Sequence, residues 1–325
     1  MGREARILRE GDIRAVLDMS SCIDACERAF AAYSSGRAEL PGVIHLDVPE
    51  HRGEIHVKAG HLHGEPYYAL KVASGFSETA PPSVDGMVVV FDATNGAPVA
   101  FLLDNGFITD LRTGAAGGVA ARHLAPERVK RVGVVGTGVQ AGYQLDGLAA
   151  VRPGFVEVRV WGRNPDHAER CVADLRGRAG LPEGCTYEVA PGVRDAVEGA
   201  DVVITCTASR EPLVRAEWLA AGAHVAALGS DGVGKQELDP GVLVSADLLV
   251  VDSRDQCARL GELQYAADQV GRAVELGDIC AGVRPGRTSA EQLTVCDLTG
   301  VGVQDVAAAG LVMARGGDAG ETLEP

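Results

Sequence analysis

Lysine is scarce in this chain. Among 325 residues it occurs only at Lys58, Lys71, Lys130 and Lys235, and arginine carries most of the positive charge. A lysine inside an apolar strand is therefore conspicuous. Aromatic residues make up 4% of the chain and the formal net charge is −15. No basic cluster interleaved with aromatics occurs, which excludes the usual nucleic-acid-binding pattern. None of the eight cysteines forms a C-x-x-C pair. They are expected to be buried, reduced thiols rather than a redox or zinc motif. The N-terminal MGREARILREGD has no apolar core of a leader, and no apolar run is long enough to span a membrane. A soluble, cytoplasmic protein is expected.

Glycine, in contrast, is placed with purpose. In RVGVVGTGVQA, an apolar run ending at Val135 meets Gly136, Gly138 and Ala141. This is the G-x-G-x-x-A spacing of a strand–turn–helix that holds a dinucleotide. Gly136 permits the tight turn, Gly138 lets the pyrophosphate approach the backbone, and Ala141 allows close helix–strand packing. Thr137, Val139 and Gln140 complete the turn, whose helix N-terminus offers unpaired N–H groups to the phosphates.

The surrounding pattern fits. Strands are expected at 131–135, 156–161, 186–189, 201–206, 223–228 and 247–251, alternating with helices. That order predicts an α/β, Rossmann-type, doubly wound parallel sheet. Before it, a helix over 12–36 is followed by strand patterns around 54–58, 67–73, 87–91 and 99–103. Thr94-Asn95-Gly96 signals a hairpin turn. A last helix, about 304–315, is expected to return to this first region. The predicted organisation is a discontinuous α+β substrate-binding and dimerisation domain, 1–115 plus 305–325, around a dinucleotide-binding domain, 116–304. Thr288-Ser289-Ala290-Glu291 has the spacing of a helix capping box.

Ligands of such a sheet bind beyond the carboxyl ends of its strands. There stand Gly136, Gly162-Arg163, Thr207 and Ser230-Asp231. The second strand carries Arg163 and Asn164 where an acid would read a ribose hydroxyl. Arginine can pair with a 2′-phosphate, so NADP(H) is favoured over NAD(H). Asn164-Pro165 also reads as a helix start. Arg112, in ITDLRTGAA, is expected in the first turn of a helix capped by Thr109 or Asp110. There it either pairs with Asp110 or clamps a substrate carboxylate with two hydrogen bonds. Lys71, in YYALKVA, is costly to bury unless paired. Asp231 suits a proton donor and acceptor beside a nicotinamide. His56, His61 and His63 invite a metal, but no nearby acid completes a ligand set in the sequence, so no metal is expected.

Together GVVGTGVQA, ITDLRTGAA, the strand around Lys71, ALGSDGVGKQELDP and DLTGVGVQDVAAA resemble the ornithine cyclodeaminase/μ-crystallin family over nearly the whole chain. PEHRGEIHVK, LPGVIHLDVP and PSVDGMVVVFDATNGAP look most like cyclodeaminase-like proteins of ectoine utilisation. The resemblance implies a homodimer and an active site between the two domains. By motif, it implies Lys71 and Arg112 on the substrate carboxylate and Asp231 as catalytic acid/base. It also implies Ser83 at the cofactor or substrate, Thr207 and Ser209 on the nicotinamide side, with Ser230 beside them, and Thr299 bordering the cofactor. Two positions depart. Many members carry an arginine at the position of Val43; His45, on the same face of an extended segment, can partly replace it. His56 stands where ornithine-specific members carry a glutamate.

The implied activity is NAD(P)-dependent hydride exchange at the C–N carbon of a small α-amino or α-imino acid, as in a ketimine reductase or amino-acid dehydrogenase. A cyclodeaminase that releases ammonia and recycles its NAD is the alternative. An NADP(H)-dependent small-molecule binding protein is a third.

Overall fold

A computed structural model describes residues 4–76 and 84–323. Contacts divide the chain into two units, 1–112 with 301–325, and 113–300.

The first unit is built on one sheet. Its strands run in the order Glu321–Leu323, Ala5–Arg9, Pro98–Leu103, Val84–Asp92, Tyr67–Phe76, Gly53–Leu62, Ala38–Glu39, with Ile44–Val48 also on Gly53–Leu62. Pairing is antiparallel except between Ala5–Arg9 and Pro98–Leu103. The strand bearing Lys71 is interior, flanked on both sides. Gly96, at φ 72°, takes the left-handed position of the turn before Pro98–Leu103.

The expected 12–36 helix is two helices, Glu10–Val16 and Met19–Ser34. Leu17 and Asp18 are extended, and the Asp18 carboxylate accepts from Ser21 N at 2.9 Å. That cap stabilises the second helix by about 1 kcal/mol, enough to favour a new start over a continuous helix. Helix Gly302–Arg315 packs on Met19–Ser34 and on the two strands Gly53–Leu62 and Tyr67–Phe76. It approaches closely because Gly60 has no side chain: a Cβ there would lie 2.9 Å from Leu40 and 3.1 Å from Val306.

The second unit is the parallel sheet. Its order is Thr186–Val189, Glu157–Trp161, Arg131–Val135, Val202–Thr205, His224–Ala227, Thr294–Asp297, Leu248–Val251, Val274–Glu275, with every pair parallel. Chain order runs outward to one side through Glu157–Trp161 and Thr186–Val189. It resumes on the other side of Arg131–Val135 with Val202–Thr205. The reversal between these two strands is the switch point at which such sheets bind ligands. Strand interiors such as Val203, Val225 and Val295 are fully buried, as two-sided burial requires.

Three parts of this unit differ from the sequence expectation. Thr294–Asp297 inserts between His224–Ala227 and Leu248–Val251, and Arg210–Val214 pairs with Gln236–Leu238 in a separate two-stranded sheet. No helix begins at 288–291. Instead the Gln292 amide oxygen accepts from Thr288 N and Ser289 N, closing a loop.

Candidate functional site

The turn after Arg131–Val135 sits at the switch point. Gly136 has φ 130°, and a Cβ on it would meet Cys206 Sγ at 2.7 Å and Cys206 O at 2.8 Å. Both conformation and space exclude a side chain there. Gly138 caps helix Val139–Val151 with no side-chain hydrogen bond, and a Cβ there would meet nothing within 4 Å. The helix end is thus open to an outside acceptor, as a pyrophosphate requires. Thr137 and Gln140 are half-buried, Val139 is exposed, and Ala141 is fully buried. A Cβ on Gly162 would lie 3.2 Å from Thr137 Oγ1, so the loops after the first two strands touch.

Beyond the second strand Arg163 is exposed. Asn164 caps helix Pro165–Arg176, accepting from Asp166 N at 2.9 Å, with Pro165 in the first turn. No carboxylate occupies 162–164.

Across the switch point, one buried carboxylate organises the next two loops. Glu237 accepts from Thr205 Oγ1 at 2.7 Å, Thr207 N at 2.5 Å and Gly229 N at 2.8 Å. Burial raises its pKa against these three bonds. Glu262 accepts from the N–H groups of Glu237 and Leu238, and burial raises its own pKa to about 8. Thr207 and Gly229 are thereby tied together. Thr207 Oγ1 accepts from Ser209 N at 3.2 Å, and Ser209 Oγ donates to Glu211 O at 2.7 Å. Ser230 is buried and donates to Lys235 O at 2.8 Å. Asp231 is half-buried in the same loop, 2.7 Å from Lys235 Nζ. Thr299 is buried: its hydroxyl donates to Asp252 at 2.9 Å and accepts from Gln256 at 3.0 Å. Nothing in the sequence singled out Glu237.

The first unit holds a separate cluster. Helix Phe107–Leu124 starts earlier than expected, with Asp104 Oδ2 accepting from Ile108 N at 2.7 Å. Arg112 is therefore past the first turn, away from the strongest dipole penalty. It pairs with Asp305 and Gln304: Nε lies 2.9 Å from Asp305 Oδ1, and Nη1 donates to Gln304 Oε1 at 2.6 Å. Lys71 Nζ lies 3.1 Å from the same Oδ1. Lys58, directly opposite Lys71 in register, is also buried. Burial, then Arg112, lowers Lys71 to about 7. Burial would raise Asp305, but Arg112, Lys71 and Lys58 together hold it below the usual range. Asp305 stands in the first turn of its helix, where an acid also suits the dipole. Two donors of Arg112 are already committed within the cluster, which differs from a guanidinium waiting with both edges open.

His45 and His56 face each other across the Ile44–Val48 and Gly53–Leu62 pair. Each has an acid on its own strand: His45 Nε2 is 3.0 Å from Asp47, and His56 Nε2 is 3.8 Å from Glu54. Ser83 lies outside the described residues.

A doubly wound sheet with a glycine turn at its switch point, plus a discontinuous α+β unit, defines a Rossmann-type protein. Residues 3–318 match the ornithine cyclodeaminase/mu-crystallin family, and the chain belongs to that family. A Rhizobium meliloti (strain 1021) protein named as a candidate dehydrogenase is 42% identical over 330 residues, covering 98% of each chain. The structure of an archaeal alanine dehydrogenase dimer with bound NAD is 32% identical, with TM-score 0.88 over 99% of each chain. Thermococcus litoralis Δ1-pyrroline-2-carboxylate reductase, in complex with NADH and L-proline, is 30% identical with TM-score 0.87. It covers 95% of this chain and 97% of that one.

Proposed function

We propose that the protein is an NAD(P)-dependent oxidoreductase exchanging hydride at the C–N carbon of a small α-amino or α-imino acid. The Gly136–Gly138 turn at the sheet's switch point carries this reading. The cofactor supplies or accepts the hydride. Gly136, Thr137, Gly138, Val139 and Gln140 are assigned to the pyrophosphate. Thr207 and Ser209 are assigned to the cofactor's nicotinamide side, and Ser230 and Thr299 to the cofactor.

Lys71 and Arg112 are assigned to the substrate carboxylate, which their buried positive charges favour. Asp231 is assigned the proton on the substrate nitrogen. Lys235 Nζ lies 2.7 Å from the Asp231 carboxylate. NADP(H) is the preferred cofactor in this reading, supported by exposed Arg163 and the absence of an acid at 162–164.

A homodimer and a cytoplasmic location go with the proposal. The dimer of the archaeal alanine dehydrogenase supports the first. For the second, no helix among the described residues is long and apolar enough to cross a membrane. A role in ectoine utilisation rests on the sequence resemblance alone.

The test uses purified protein with NADPH or NADH and a panel of cyclic ketimines and α-keto acids with amines, read at the nicotinamide absorbance band. Oxidation of the reduced cofactor is expected. Ammonia release from a diamino acid without net change in the cofactor would assign the cyclodeaminase reaction instead. Cofactor binding without turnover in either assay would leave a binding protein.

A further inference from the structure

The strand pairing supplies what the sequence withholds at the histidines of the first unit. In the Ile44–Val48 and Gly53–Leu62 pair, His45 is directly opposite His56, and Asp47 is directly opposite Glu54. Side chains two apart on a strand share a face, as do directly opposed residues, so all four groups share one. The imidazoles lie edge to face with centroids 4.7 Å apart. One ligand atom each from His45, Glu54 and His56 falls within 4.8 Å of the others. Asp47, 3.0 Å from His45 Nε2, extends the cluster to four groups.

We infer that His45, Glu54 and His56 form a binding site for a divalent transition-metal ion, zinc in particular. Two neutral imidazoles and a carboxylate are the donor set of zinc and its neighbours, not of magnesium or calcium. Zinc–ligand bonds of about 2.0–2.2 Å place tetrahedral donors about 3.4 Å apart. The ion would have to draw the observed spacing in by side-chain rotation, with the paired strands holding the backbone. The His56 side chain is 16% exposed and that of His45 44%, so the ion has both a fixed wall and an open approach. Asp47 adds negative charge and a hydrogen-bond partner for an imidazole, the arrangement that orients metal-binding histidines. Bound there, the ion would cross-link the two strands. The family resemblance also places His45 and His56 near the substrate, so the test reads metal binding directly and not turnover.

The test is calorimetric titration of chelator-treated protein with Zn²⁺, and with Co²⁺ read by its visible ligand-field bands. One ion per chain is expected, with a rise in the thermal midpoint of the wild type. The double variant His45→Asn, His56→Asn should bind at least ~100-fold more weakly, and Glu54→Gln about 10-fold more weakly. Both should keep the wild-type circular dichroism and metal-free thermal midpoint. His63→Asn removes an imidazole that lies beside Glu39, outside the quartet, and should leave binding unchanged. Absence of stoichiometric binding would overturn the site. So would binding that survives in the double variant or disappears in His63→Asn.

Discussion

Lys71 and Arg112 converge on one atom, the Oδ1 oxygen of Asp305, at 3.1 Å and 2.9 Å. Each of the three residues is at most 4% exposed. Such a cluster is costly to desolvate: one carboxylate offsets the two cations only in part, and burial with Arg112 lowers Lys71 to about 7.

Asp305→Asn leaves two buried cations without their counter-charge. A loss of about 3–5 kcal/mol in unfolding free energy is expected, read from urea denaturation near neutral pH. A loss below ~1 kcal/mol would show that the pair does not hold the cluster together.

Lys71 provides a pH signature. Its pKa falls from 10.5 to about 7 on folding, so between those values the unfolded chain holds the extra proton. This group's contribution to stability therefore increases as pH rises through that window, and is constant below it. Affinity for a carboxylate ligand should move the opposite way, weakening as pH rises through about 7. In Lys71→Met that affinity should be weaker and its pH dependence near 7 should vanish. Equilibrium binding of the ligand measured at a series of pH values checks this.

Gly136 and Gly138 should separate folding from binding. Gly136→Ala forces a side chain into the left-handed region and onto Cys206, and is expected to lower stability by about 1–3 kcal/mol. Gly138→Val meets no wall, so the thermal midpoint should stay close to wild type while dinucleotide affinity falls at least ~10-fold. Fluorescence titration with reduced nicotinamide cofactor reads the second effect.

Arg163→Ala tests cofactor choice. A charge-assisted contact with a 2′-phosphate is worth ~10- to 100-fold in affinity. NADPH binding should weaken by that factor and NADH binding by less than ~2-fold. Equal loss for both cofactors would remove Arg163 from the discrimination.

Asp231→Asn should lower turnover by ~100- to 10,000-fold while cofactor affinity is kept. Unchanged turnover would exclude it as the acid/base.

The Gly136–Gly138 turn was legible because its requirements are local: an apolar strand, two glycines and a helix start within eleven residues. Lys71 was legible as a charge among apolar neighbours. Its partner was not, since Asp305 reaches it only through the packing of Gly302–Arg315 on the sheet. The signal was present nonetheless: Gln304 and Asp305 interrupt an otherwise apolar helix start, and both are buried. Asp18 followed by Ser21 likewise marked a helix start inside the presumed 12–36 helix. Glu237 gave no sign, because KQELDP reads as a polar loop until its strand pairs with Arg210–Val214. Asp47 and Glu54 stand two residues from His45 and His56 in the sequence, but that the two His–acid pairs lie opposite each other is set by the strand register, which spacing alone does not reveal.

The Arg112–Asp305 contact spans 193 positions of sequence. During synthesis the ribosome must therefore emit both cations, and then the whole parallel sheet, before the balancing carboxylate emerges. Until then Lys71 and Arg112 lack the carboxylate that pairs with them, so burying them is unfavourable and the interior of the first unit closes late.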